Sequence, residues 1–358
     1  MNKKFIPYSD LSFHENVIVV DSYHPDSLTL SHWRGAPKIK EIYDDTSTGI
    51  VLNALEKGIP DLDKYPFVTN DHFDIDGFLG VWSLHYPEKA LQHINLLRKM
   101  SVIGDFRELS LETEEDHLAL KLVCWINKVE SALFYPPFAS YETGKNEMKL
   151  CVSKYNFFLT QFGKVLDSPE EFRSHWQSDY DEIVAGLATL QAGESKVTLL
   201  EDIRLLIVET PEPLHYYALF SQSKPADMVL SIYSGNRYEL EYKYTTWIDC
   251  ATRNSYPRID MHPLAGLLNQ HEESPQAWVC DKITDTGPIL RLGGESLTKK
   301  QRFDHPKNRT IFSSGIPPEE LKAIIIDYYQ KAYAHTQQKP LWSWAEIRKV
   351  NKSLHPLL

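Results

Sequence analysis

The sequence predicts an α/β protein of two domains, residues 1–193 and 194–358. Three observations lead there. The first third alternates short apolar runs, polar loops and helical patterns, which is the order of a parallel sheet with helices on its faces. The middle is helical. Near residues 193–196 the texture changes to alternating strands and a hairpin signal, which predicts an α+β domain on an antiparallel sheet.

The elements follow in order. Asn16-Val17-Ile18-Val19-Val20-Asp21 is an apolar run ending in an acid, the pattern of a buried strand. Residues 46–55 place apolar side chains at helical spacing behind hydroxyl caps. Tyr65-Pro66-Phe67-Val68-Thr69 predicts a second strand, and residues 77–85 a mostly apolar helix. Thr113-Glu114-Glu115-Asp116 opens a helix reaching about Phe134, and another is expected over residues 147–166. Ser168-Pro169-Glu170-Glu171 has a hydroxyl cap, Pro at the first helical position and Glu two positions on. Beyond the boundary, strands are expected at residues 203–208, 216–220 and 228–233. Ser234-Gly235-Asn236 is a turn signal before the alternation Arg-Tyr-Glu-Leu-Glu-Tyr-Lys-Tyr of residues 237–244. A last helix is expected at residues 318–332.

Composition narrows the function classes. The chain has 358 residues, 42% hydrophobic and 24% charged, with a net charge of −11. That charge repels phosphate at long range, so long nucleic acid and anionic membrane are poor partners. A small phosphorylated substrate remains open, because bound cations invert the local field. No run approaches the ~20 apolar residues of a membrane helix. The basic tip MNKKFIPYSD has no apolar stretch behind it, so no secretory signal is expected. Cys124, Cys151, Cys250 and Cys280 are far apart with no CxxC pair, which predicts reduced thiols, no cysteine-built zinc site and a cytoplasmic location.

The most specific motif is Asp71-His72-Phe73-Asp74-Ile75-Asp76-Gly77. In an extended loop His72, Asp74 and Asp76 point to one side. One imidazole and two carboxylates suit a hard divalent ion, Mn²⁺ or Mg²⁺. With 14 His, 23 Asp and 16 Gly in the chain, composition alone yields roughly 0.003 occurrences of HxDxDG. The competing explanation is a polar loop whose acids cap the following helix at its positive end. Asp105, in Ile103-Gly104-Asp105-Phe106, is a further ligand candidate or an acid that orients a histidine. Its alternative is a turn after a helix ended by Gly104.

HxDxDG after a strand and before a helix resembles the first motif of the DHH (Asp-His-His) phosphoesterases. The fit is better than to the nucleophile loop of haloacid dehalogenase-like phosphatases, where an apolar strand runs directly into the first Asp. Further DHH-like segments precede the motif here, a circularly permuted order. Residues 17–21 resemble the strand whose acid, here Asp21, bridges two metals in that superfamily. Leu30-Ser31-His32-Trp33 stands where the Asp-His-His signature is expected, and His32 is its middle residue. Asp44-Asp45-Thr46-Ser47-Thr48 resembles the acid and hydroxyl-rich helix start that follows. The resemblance implies a metal set of Asp21, His32, Asp45, His72, Asp74 and Asp76 holding one or two Mn²⁺ or Mg²⁺ ions, to which Asp105 is the further candidate. Turnover would depend on His32, Asp74 and Asp76.

In the second domain Arg253 and Arg258 are candidates to grip a substrate phosphate in forked geometry from across an interdomain cleft. The segment around them faintly resembles the accessory substrate domain of DHH enzymes, without its GGGH loop. The aromatic strands up to Trp247 offer either sheet core or base-stacking platforms. The expected function is a metal-dependent phosphoesterase acting on a small phosphorylated or nucleotide-like substrate. The alternative is a catalytically inactive protein that binds a ligand or partner through a degenerate site. Across most of its length the chain also resembles a bacterial family known only as a domain of unknown function. That likeness rests on LSHWRGAP, DDTSTGIVL, HFDIDGFLGVW, IGDF and YKYTTWIDCATRNSYPRIDMHPLAGLL.

Overall fold

The computed structural model describes residues 2–134 and 146–354. The chain divides into two compact units. One comprises residues 1–182 with 250–252, and the other residues 183–249 with 253–358. The division falls earlier than the compositional change at 193–196 and returns three residues of the later sequence to the first unit.

The first unit is built on four parallel strands: β1 (Lys4–Phe5), β2 (Val17–Val20), β3 (Leu28–Leu30) and β4 (Phe67–Thr69). Their order is β1-β4-β2-β3, with Val17 opposite Phe67 and Ile18 opposite Leu28. β2 is buried along its whole length, which is why its sequence is continuously apolar rather than alternating. Helix α1 (Ser47–Lys57) begins where Thr46 Oγ1 accepts the Gly49 amide. Helix α2 (Ile75–His85) begins where Asp74 Oδ1 accepts the Gly77 amide at 2.8 Å. α2 packs closely on β2 and α1: a Cβ at Gly80 would stand 2.6 Å from Val20 Cγ1, so only glycine allows the approach.

α3 (Pro87–Gln92) and α4 (Ile94–Phe106) follow. α5 (Glu114–Leu133) carries the expected capping box between Thr113 and Asp116, and α6 (Glu147–Asp167) begins after the undescribed residues. Phe73, Phe78, Tyr155 and Phe158 form a continuous aromatic cluster between α2 and α6. Such a cluster binds a helix to a sheet unit through buried ring area. The Ser168-Pro169 start leads into a 3₁₀ turn, Pro169–His175, broken by non-helical Phe172. The α-helix follows as α7 (Gln177–Gln191), which spans the division between units.

The second unit holds six strands: β5 (Lys196–Leu200), β6 (Leu205–Thr210), β7 (Met228–Tyr233), β8 (Arg237–Tyr242), β9 (Trp278–Cys280) and β10 (Ile289–Leu292). Their order is β5-β6-β7-β8-β10-β9. The sheet is mixed, not antiparallel as expected, because β6 and β7 run parallel. Parallel neighbours need a crossover, and residues 216–220, read as a strand, belong to it. They form a short helix, α8 (Tyr216–Leu219), started by the His215 side chain accepting the Tyr217 amide. The β7–β8 hairpin turns through Gly235 and Asn236, both at positive φ, as its turn signal requires. Tyr238 and Tyr242 point into a buried cluster with Tyr328 and Tyr329, so they are sheet core and offer no stacking platform. Helices α9 (His262–His271), α10 (Lys299–Phe303), α11 (Pro318–Tyr333) and α12 (Trp344–Leu354) complete the unit. Among the described residues no helix is long and apolar enough to cross a membrane.

Candidate metal centre

Three parallel strands deliver the chemistry of the first unit. β2 ends at Asp21, which turns the chain at φ 49°. That conformation is rare outside glycine and is tolerated best by Asp and Asn. β3 leads into Ser31 and His32, and β4 leads through Asn70 and Asp71 into the loop of His72, Asp74 and Asp76. Because β4, β2 and β3 are neighbours in register, their C-terminal ends bring these residues together.

Asp21 lies at the centre and is fully buried. Its Oδ1 stands 3.2 Å from His32 Nε2 and its Oδ2 stands 3.3 Å from His72 Nε2. Asp21, His72 and Asp74 form one group whose ligating atoms lie within 4.8 Å of one another. Asp21, His32 and Asp76 form a second. Each group offers one imidazole nitrogen and two carboxylate oxygens, a donor set for Mn²⁺ or Mg²⁺. Asp105, near the end of α4, comes within 3.5 Å of His32 Nε2 with its side chain 5% exposed.

Both imidazoles are oriented from behind. His32 Nδ1 lies 2.7 Å from the Asp45 carbonyl oxygen, and His72 Nδ1 lies 2.8 Å from Asp71 Oδ1. Since those oxygens only accept, each Nδ1 carries the proton. The neutral ring then turns an Nε2 lone pair toward oxygens that also only accept. For His32 these belong to Asp21, Asp105 and Asp76, the last at 3.9 Å. For His72 they belong to Asp74, at 3.1 Å, and Asp21. Acceptors facing acceptors in a buried site require a proton or a cation between them. Consistent with this, Asp21 Oδ2 and Asp105 Oδ2 are buried and accept no hydrogen bond.

In protons alone, the balance is as follows. Burial pulls His32 down, but the carboxylates of Asp21 and Asp76 outweigh it and lift the ring to about 9. Burial likewise opposes charge on His72, and Asp74, Asp21 and Asp71 hold it well above its ordinary value. Burial pushes Asp76 up to about 7, with His32 pulling the other way and Asp21 and Asp74 adding to the rise. Burial, reinforced by Asp76, Asp74 and Asp21, holds Asp105 well above the usual carboxylate range. Burial opposes ionisation of Asp21 too, but the His32 and His72 imidazoles beside it overcome that and hold Asp21 below that range.

The capping explanation is also realised in part. Asp74 Oδ1 caps α2, and Asp76 accepts the Ser47 amide at 2.7 Å and the Thr48 amide at 2.8 Å at the start of α1. Asp74 therefore has Oδ2 free to face His72, while Asp76 Oδ2 divides itself between the Ser47 amide and the site.

Three sequence expectations change. The Asp45 carboxylate is not grouped with the ligands: it accepts the Thr252 amide at 2.9 Å and the Thr252 hydroxyl, and only its main-chain oxygen serves His32. Arg258 is fully buried, and its guanidinium donates to Thr246 Oγ1 and the carbonyls of Lys243, Ile283, Asp285 and Thr286. It stitches loops together and has no fork left for a phosphate. Arg253 is half-buried in the second unit. Gly104 lies inside α4, which ends beyond it at Phe106 with Arg107 in the left-handed conformation.

Sequence reasoning passed over two members of the site. Ser47 donates its hydroxyl to Asp21 Oδ1 at 2.7 Å and accepts the His32 amide at 3.2 Å. Asn70 accepts the Asp71 amide at 2.7 Å, and its Nδ2 is buried against Gly77. The hydroxyl-rich start of α1 signalled the first; nothing local signalled the second.

The chain belongs to a family described as one of unknown function, DUF6687, which matches residues 1–340. No curated protein and no solved structure matches it.

Proposed function

We propose that this member of that family is a metal-dependent phosphoesterase acting on a small phosphorylated or nucleotide-like substrate in the cytoplasm. The observation that carries the reading is the shared carboxylate of Asp21, buried between two imidazoles whose Nε2 atoms both face oxygens. Asp21, His72 and Asp74 would hold one divalent ion, and Asp21, His32 and Asp76 a second. When bound, such ions acidify a coordinated water and neutralise charge gathering on phosphoryl oxygens. The protein's own part is orientation: the Asp45 carbonyl and Asp71 carboxylate aim the rings, and Ser47 fixes Asp21. Asp21 precedes the HxDxDG loop in sequence and, because β2 and β4 are neighbours, lies beside it in space, as a DHH-like site in permuted order would require. The net charge of −11 favours a small substrate over long nucleic acid.

One observation favours the alternative, a ligand-binding protein without turnover. Both Asp76 oxygens are engaged by the Ser47 and Thr48 amides, so the second group has a weaker donor than the first. Purified full-length protein titrated with Mn²⁺, then offered phosphodiesters, pyrophosphate and dinucleotides, separates the readings. A thermal shift and metal-dependent hydrolysis, both lost in Asp74→Ala, are expected. A thermal shift without hydrolysis selects the alternative, and no shift removes the metal centre.

A further inference from the structure

We propose a second metal site in the second unit, for a borderline-soft dication of the zinc class, built from Asp260, His262 and Cys280. One carboxylate oxygen, one imidazole nitrogen and the cysteine sulfur lie within 4.8 Å of one another. Those are the three donor types that Zn²⁺ accepts, and three protein ligands leave one tetrahedral position for water.

The backbone that carries the ligands is tied down on every side. The Asp260 amide donates to Asn351 Oδ1 at 2.6 Å, and its carbonyl accepts the Tyr328 hydroxyl. The preceding Ile259 amide donates to Tyr242 OH at 2.8 Å, and the carbonyl of Arg258 before it accepts Asn351 Nδ2 at 2.9 Å. His262 opens α9, its amide donating to Asp260 Oδ1 at 3.1 Å and its Nδ1 lying 2.6 Å from the same oxygen. Cys280 ends β9, where it pairs with Leu290 of β10. A ligand set fixed before the ion arrives loses little conformational freedom on binding.

Access agrees with the assignment. The side chain of His262 is 60% exposed and that of Asp260 44%. Cys280 is the one cysteine of the four that is not buried. Donor softness separates this site from the first. The centre at Asp21 offers only oxygen and imidazole, whereas this one adds a cysteine sulfur, so the two would sort hard from borderline-soft cations.

Co²⁺ alone is the probe, added to the full chain. A saturable thiolate-to-cobalt charge-transfer band is expected, lost in Cys280→Ser, weakened at least tenfold in affinity in His262→Ala and retained in Asp74→Ala. Zn²⁺ should abolish the band and protect Cys280 from alkylation in the wild-type protein, a readout that needs no variant to fold. Absence of the band, its survival in Cys280→Ser, or alkylation of Cys280 unchanged by Zn²⁺ would each overturn the proposal.

Discussion

His32 Nδ1 lies 2.7 Å from the main-chain oxygen of Asp45. That contact decides which nitrogen of His32 faces the buried carboxylates. It also explains how an acid that looked like a ligand serves the centre without its carboxylate, which Thr252 holds.

Asp45→Ala keeps the carbonyl and loses the clamp. Mn²⁺ affinity should fall about 10-fold, within the range for outer partners of metal-bound histidines. Asp74→Ala, which removes a ligand of the first group, should cost at least ~100-fold, well beyond the ~10-fold of an outer partner. Equal losses in the two variants, measured by calorimetric titration, would return the Asp45 carboxylate to the ligand set.

A Cβ at Gly77 would stand 2.1 Å from Asn70 Nδ2, 3.0 Å from Asp74 Oδ1 and 3.3 Å from Asp21 Oδ2. Gly77→Ala therefore has opposed effects. Alanine gains roughly 1 kcal/mol of intrinsic preference within α2, while Asn70, Asp74 and Asp21 must move. Metal-free melting temperature should change little and Mn²⁺ affinity should drop at least 10-fold. Unchanged affinity would show that those groups do not need their present spacing.

A dication entering the candidate site would have to displace protons. The His32 ring, lifted to about 9, and Asp76, raised to about 7, are protonated below those values. Apparent Mn²⁺ affinity should therefore rise with pH up to about 9, and titrations in buffers of different ionisation heat should show proton release on binding. The sign for folding is the opposite. A histidine raised from 6.5 to about 9 stabilises the metal-free fold fully below 6.5, and that contribution is lost as pH rises through about 9. A pH-independent Mn²⁺ affinity across this window would contradict the assignment of His32 as a ligand.

Arg258→Met removes a buried cation and leaves the carbonyls of Lys243, Ile283, Asp285 and Thr286 without its bonds. Unfolding in urea should show a loss of ~3 kcal/mol, since the buried Lys243 carbonyl and three half-buried loop carbonyls lose a charged donor. Mn²⁺ affinity per folded molecule should stay the same. A stable variant with weakened substrate binding would restore the substrate role that the sequence suggested.

Much of the first unit was legible in the chain because its signals are local. A continuous apolar run announces β2, hydroxyl and acidic caps announce α1, α2 and α5, and HxDxDG marks the loop between β4 and α2. Hairpin β7–β8 was legible for the same reason: Gly235 and Asn236 accept a backbone that few residues do. Strand β3 has only three residues, too few to show a period.

What the sequence by itself determined is the inventory: acids and imidazoles placed at strand ends, and a net charge of −11. Tertiary structure alone decided how they are used. The parallel register of β4, β2 and β3 put Asp21 between His32 and His72. Contacts remote in sequence took the Asp45 carboxylate for Thr252 and the Arg258 guanidinium for loop carbonyls. Asp260 and His262 met Cys280 only because α9 and β9 fold against each other. The reason is physical: capping and periodicity act over a few residues, whereas the direction of a buried oxygen is set by whatever the rest of the fold packs around it.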